Sequence, residues 1–294
     1  MNQKRFSVTD LLLLAVVIIW GGYFTFGKIA LQEVDPTTFA ALRTILAVPV
    51  LLLILGVKEK GLHFDKRDII AFAISGFLGQ FLNRLSFSYG LNFTSASNAA
   101  ILWAITPVFT ALLSALFRIE RVTLRSAGGI FLAFTGVFLV IKGDWAPLNL
   151  SKTALWGDLL ILGATLSWSC FTIYAKHLLR EHSTLHLTTW SSVFGSSFMV
   201  SFILKPLSQG TLFHYSLKAW LCILYVAIMA NVIAQLGWVT GISRIGPTKT
   251  AVYQNLVPVV GVAVAAVVLM ESILPMHVIG AILVIAGVCL TRFG

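Results

Sequence analysis

The chain has 294 residues, of which 58% are hydrophobic and 11% charged, and its mean hydropathy is +0.92. Soluble domains carry about 25% charged residues, so this composition excludes a soluble enzyme, a nucleic-acid-binding domain and a disordered chain. It fits a polytopic membrane protein: a spanning helix needs about 20 mostly apolar residues, which leaves room for roughly ten with short connections.

Apolar stretches bounded by charged or turn residues predict those ten helices in order. The first, 10–31, follows Lys4 and Arg5; no small-residue cleavage pattern comes after it, so it reads as an uncleaved span. Residues 36–57 follow the short connection 32–35, and the charged segment 58–67 leads into 68–90. Helices at 94–117 and 123–142 come next, then the polar stretch 143–153. Beyond it lie 154–179, 184–205, 216–243, 248–270 and 274–292, with 206–215 as the longest late connection. Cys170, Cys222 and Cys289 all fall inside apolar runs, where a free thiol behaves as a small hydrophobe.

Lys and Arg bias sets the orientation of such a chain. With the N-terminus inside, 14 of the 21 basic residues fall in inner segments and 4 (Lys142, Lys152, Lys205 and Lys218) in outer ones. Lys28, Arg43 and Arg84 remain within or at the ends of helices. Both termini are therefore expected to be cytoplasmic, and the net charge of +10 expresses topology more than a partner.

The chain also repeats itself. A shift of 148 places Asp10-Leu11-Leu12 on Asp158-Leu159-Leu160, Trp20 on Trp168 and Lys28 on Lys176. A shift of 151 places Ala100 on Ala251, Pro107 on Pro258, Glu120 on Glu271, Gly129 on Gly280 and Gly136-Val137 on Gly287-Val288. Two halves result, 1–146 and 147–294, each with five helices. Because five is odd, the second half enters from the opposite side, an inverted repeat of the kind transporters use for alternating access.

The run SASNAAILWAITPVFTALLSALF from Ser95, then Glu120-Arg121 and Gly128-Gly129 to Gly136-Val137, resembles the EamA repeat of the drug/metabolite transporter superfamily. So do Gly157-Asp158-Leu159 with Trp168, and Arg244-Ile245-Gly246-Pro247-Thr248 through Leu256-Val257-Pro258 to Glu271. The resemblance covers nearly the whole chain. It implies ten helices, both termini inside, and secondary transport, mostly export of amino-acid-like or other small metabolites.

Charges inside a span usually face a cavity. Arg43 and Arg84 project to the outer half of the membrane, where they line a route, bind a carboxylate or phosphate, or tie helices together. Lys28, nearer a helix end, reads as snorkelling to the surface. Gln80, Arg84 and Phe87 share one helix face at i, i+4 and i+7, and the 151 shift carries them onto Asn231, Gln235 and Trp238. Trp103 and Thr106, with Thr250, Tyr253 and Gln254 in the other half, add further groups. Trp20, Tyr23 and Trp168 add aromatic surface, or belong to an interfacial belt. The glycine pairs Gly129/Gly136 and Gly280/Gly287 read as packing faces of helices five and ten. Pro107 and Pro258 read as mid-helix kinks. Glu120 and Glu271 suit the start of the next helix, and Asp10 and Asp158 read as caps at the start of each half. His182 and His186, at i and i+4, lie in a basic loop.

The expectation is thus an all-α membrane protein of ten transmembrane helices in two inverted five-helix repeats, in the inner membrane. Helices one to four and six to nine enclose a central cavity, with five and ten outside. The substrate contacts expected are Trp20, Tyr23, Arg43, Gln80, Arg84, Trp103, Trp168, Asn231, Gln235, Trp238, Tyr253 and Gln254. The substrate is a small zwitterionic or anionic solute. No cofactor, metal or nucleic acid is expected, only the bilayer, the solute, and a monomer or a homodimer. Multidrug-type efflux of amphipathic compounds and a non-transporting membrane subunit are the alternatives. A membrane-embedded enzyme would need a nucleophile paired with a base at depth.

Overall fold

The computed structural model describes residues 6–62, 64–93, 99, 102–120, 122–141, 152–268 and 275–293. Among them it is all-helical. In chain order the helices are α1 (Val8–Ala30), α2 (Pro36–Lys58), α3 (Lys66–Phe93), α4 (Thr106–Leu116) and α5 (Leu124–Ile141). After them come α6 (Lys152–Leu178), α7 (Thr184–Ser197 with Val200–Ser208, bent by 54°), α8 (Leu217–Ile245), α9 (Pro247–Ala251, Val252–Asn255 and Leu256–Val268) and α10 (Pro275–Phe293). The order agrees with the sequence expectation, but length and hydropathy qualify six of the described helices as spans, or seven with the bent α7. Many large apolar side chains lie on the outside, among them Leu53, Val57, Ile70, Phe131, Leu221 and Ile282. In water such a surface would aggregate; against acyl chains it is at home. The protein is a multi-pass membrane protein.

Helix starts are set by side chains that accept the free backbone N–H groups there. Asp35 receives Thr37 N and Thr38 N, both at 3.0 Å, with Pro36 in the first turn of α2. Ser183 does the same for α7 through His186 N at 2.9 Å, and Ser216 for α8 through Ala219 N at 3.1 Å. Ser7 opens α1, where its backbone N–H and hydroxyl both donate to Asp10 at 2.6 Å. Asp158 departs from the expected parallel, since α6 starts well before it at Lys152.

Two further expectations are revised. Pro107 and Pro258 do not kink continuous helices. Pro107 stands in the first turn of α4, just after a break at Ala104–Ile105, and Pro258 comes after the tight turn Val252–Asn255. A proline near a helix start gives up an N–H that has no intrahelical partner anyway. Glu120 caps a helix, but not the next one along the chain. Its Oε2 accepts from Thr248 N at 3.0 Å, holding the start of α9, while Thr123 caps α5 through Ser126 N at 3.1 Å. Glu271 and the side chain of Lys28 lie outside the described residues.

Packing pairs the helices off symmetrically. α1 lies against α8 and α9 as α6 lies against α3 and α4; α3 meets α7 as α8 meets α2. α5 and α10 pack on each other through the predicted glycine faces. A Cβ on Gly136 would stand 2.6 Å from the carbonyl oxygen of Gly280, and one on Gly129 2.7 Å from that of Gly287. This close backbone approach is how small residues join helices in lipid. At the end carrying both termini, Asp10 is fully buried. Its Oδ1 accepts from Arg292 Nε at 2.6 Å and from the Tyr253 hydroxyl at 2.5 Å, linking α1, α9 and α10.

Gly246, between α8 and α9, has φ +87° and ψ 165°, a region open only to glycine and worth about 1–3 kcal/mol of strain for other residues. A Cβ there would also run into Glu120 Oε1. Gly246→Ala is expected to lower the melting temperature in detergent by several degrees. Gly128→Ala, in open helical surroundings with nothing within 4 Å of the new carbon, leaves it unchanged or slightly raised. Equal effects of the two substitutions would show that neither the backbone angle nor the Glu120 contact matters at Gly246.

Candidate functional site: a cavity with two arginines

Two helices carry a local distortion at matching places. In α3, residues Phe77–Leu82 are wound as a π-helix, and in α8 so are Val226–Ala234. The wider turn inserts a residue and rotates the remainder of the helix about its axis; such turns recur at functional sites. Gln80 lies in the first and Asn231 in the second.

Arg84 is buried between them. Its Nε donates to Gln80 Oε1 at 2.7 Å, and Nη1 donates to Asn231 Oδ1 from the other half of the chain. Asn231 Nδ2 in turn donates to the backbone oxygen of Arg43 at 2.7 Å. The guanidinium of Arg43 lies over the rings of Tyr23, 5.1 Å from its centroid, and Phe39, at 5.5 Å. Both partners of Arg84 are neutral amides. A charge in a span costs on the order of 2.5–3.5 kcal/mol on insertion scales, and these two charge-assisted bonds offset part of that.

These groups border a cavity whose empty space, about 590 Å³, includes the open solvent at its mouth. Aromatic side chains form a continuous arc along it. Trp20 meets Trp168 with centroids 5.8 Å apart; Trp168 meets Trp103 at 6.5 Å; Trp103 meets Phe87 edge-on at 5.1 Å; Phe87 meets Tyr23 at 6.4 Å. The arc therefore ends on Arg43. Trp103 is presented at the break before α4, where the Thr106 hydroxyl donates to its carbonyl at 2.6 Å.

Of the expected contacts, the structure brings Trp20, Tyr23, Arg43, Arg84, Trp103, Trp168, Asn231 and Gln235 to the cavity wall. Gln80 stands behind Arg84 as its acceptor, and Trp238 backs the wall, 5.2 Å from Trp20 and 5.9 Å from Trp168. Tyr253 and Gln254 are elsewhere: Tyr253 joins the Asp10–Arg292 cluster, and Gln254 is buried with neither side-chain polar atom bonded. The 3-10 turn Val252–Asn255 that contains both overwinds the chain, so a face drawn at helical spacing does not survive it. Among the described residues α7 contributes nothing to the wall, because it packs behind α3 where Gly76 and Gly195 approach. Asn83, Ala230 and Val257 also line the cavity. Asn83, next to Arg84 in sequence, lies off the i, i+4, i+7 stripe, and no sequence signal placed it there. Its Nδ2 donates to Ala164 O on α6 at 2.9 Å. His182 and His186 sit far from this cavity, stacked 5.2 Å apart and facing Asp68 at 3.5 Å and Glu59 at 3.7 Å.

The description "EamA-like transporter family" fits the chain twice, over residues 7–142 and 155–293. The chain belongs to that family. Among its relatives in the family, an uncharacterized transporter of Bacillus subtilis, YyaM, is 32% identical over 282 residues, covering 95% of this chain and 91% of that one. Probable amino-acid metabolite efflux pumps of Salmonella typhimurium and Escherichia coli are each 30% identical, covering 96% of this chain and 94% of theirs. A solved structure superimposes with a TM-score of 0.78 at 16% identity, over 97% of this chain and 96% of the other, which shows a shared EamA-type fold.

The two amides are expected to matter to stability because of the charge they hold. Asn231→Ala takes an acceptor from a buried guanidinium and should cost about 1.5–3 kcal/mol, read as a drop in melting temperature. Arg84→Met removes the charge along with its needs and should melt close to the parent. If the methionine variant is as damaged as Asn231→Ala, Arg84 is a structural tie and not a tolerated load.

Proposed function

We propose that this protein is a secondary transporter that exports a small carboxylate-bearing metabolite, zwitterionic or anionic, across the inner membrane by alternating access. The observation that carries the reading is the cavity lined by α1, α2, α3, α6, α8 and α9 with Trp103 just before α4, where Arg84 of one half is held by Asn231 of the other. Two guanidiniums at the wall offer charge-assisted bonds to a carboxylate, and the aromatic arc offers an apolar bed for the rest of the molecule. The names of the Salmonella and Escherichia relatives point the same way.

The matched helix contacts, the paired π turns of α3 and α8 and the twofold match to the family support two repeats, 1–146 and 147–294. Five helices in each make the repeats inverted, with ten spans and both termini in the cytoplasm, as the basic loops favour. Rocking of one half against the other would then expose the cavity to each side in turn. No cofactor takes part; the chemistry is binding and release. Efflux of amphipathic compounds fits the aromatic wall, but cationic compounds of that kind meet two arginines.

The test is counterflow in proteoliposomes with labelled amino acids and related acids. The parent should exchange at least one of them, and Arg84→Ala should insert normally and lose flux by about tenfold or more, the loss of one charge-assisted contact of about 1.5–3 kcal/mol. Undiminished exchange by Arg84→Ala would remove the carboxylate contact from the mechanism.

A further inference from the structure

We infer that the cavity selects by net charge: it takes a carboxylate on a flat apolar body and disfavours the same molecule once it carries an ammonium group. The inference rests on the transport reading above and narrows its substrate from anionic or zwitterionic to anionic.

Three observations carry it. The wall holds Arg43 and Arg84 and, among the described residues, no Asp or Glu. The side-chain oxygens nearest Arg84, Gln80 Oε1 and Asn231 Oδ1, are neutral and already accept from it, so they hold the guanidinium in place without balancing its charge. Finally, Arg43 Nε on that wall has no hydrogen-bond partner, so nothing among the wall's side chains engages that part of its charge. A wall with surplus positive charge is complementary to an anion.

A zwitterion meets this wall differently. Its carboxylate makes the same bonds, but its ammonium enters the field of two cations with no carboxylate to face. Cation–π contact with the indoles returns part of that, yet Arg43 already occupies the end of the arc over Tyr23. A monoanion lowers the net charge of the pocket, whereas a zwitterion leaves it as it was. The apolar body is implied by the arc of Trp20, Trp168, Trp103 and Phe87, whose faces and edges suit a flat ring.

Three probes of one size separate the terms: indole-3-propionate, L-tryptophan and tryptamine, titrated into the purified full-length protein by calorimetry at neutral pH. Indole-3-propionate is expected to bind at least tenfold tighter than L-tryptophan, and tryptamine not at all. Arg43→Gln should shrink the ratio between the first two, and Arg43→Lys should keep it; a ratio does not depend on how much protein folds. Tighter binding of L-tryptophan than of indole-3-propionate overturns the inference, as does any binding of tryptamine comparable to the acid. If none of the three binds while the same preparation exchanges another solute, the aryl-carboxylate class is wrong and the transport reading stands. If the preparation exchanges nothing, the transport reading itself fails, and this one with it.

Discussion

A guanidinium placed inside an apolar bundle without an acid to face it sets much of what surrounds it. Arg84 needs acceptors, and it finds them on its own helix in Gln80 and across the bundle in Asn231. That second bond runs from α3 to α8. Asn231 is then committed to Arg43 O, which brings α2 into the same network. Because the partners are neutral amides, they hold the guanidinium without cancelling its charge. A carboxylate beside Arg84 would have relaxed that charge.

Lipid makes a sequence unusually readable at the level of helices. Every spanning backbone must bond within itself, so apolar stretches were enough to predict the order of the described helices, and the 151-residue shift matched α3 to α8 closely enough to align Gln80 with Asn231 and Arg84 with Gln235. Polar residues at i and i+4 in such helices have few places to go other than inward. What could not be read is what depends on a broken helical period or on a distant partner. Tyr253 and Gln254 sit in a 3-10 turn that rotates them away from the face assigned by counting. Asn83 reaches the wall next to a π turn that no composition announces. Glu120 was legible as a cap, but its helix is reached from Thr248, 128 residues on, a choice made by tertiary packing.

The family match and the cavity answer different questions. Membership says which architecture the residues build; it does not say what enters. The cavity's chemistry narrows that, since the apolar arc and the two cations are properties of these side chains and their distances. Tryptophan contributes mainly as apolar wall here, and the Trp20 indole N–H is spent on the Ala230 carbonyl at 3.4 Å. The glycines of α5 and α10 face each other within the chain, so those faces serve internal cohesion.

The ion pair between Asp10 and Arg292 joins residues 282 apart, on the first and last described helices. Asp10 belongs to α1, which enters the membrane long before Arg292 has been synthesised. During that interval its carboxylate has the N–H and hydroxyl of Ser7 but not its cationic partner. The ion pair of Asp10 and the close packing of α5 both require α10. The last described helix thus closes the bundle onto the first.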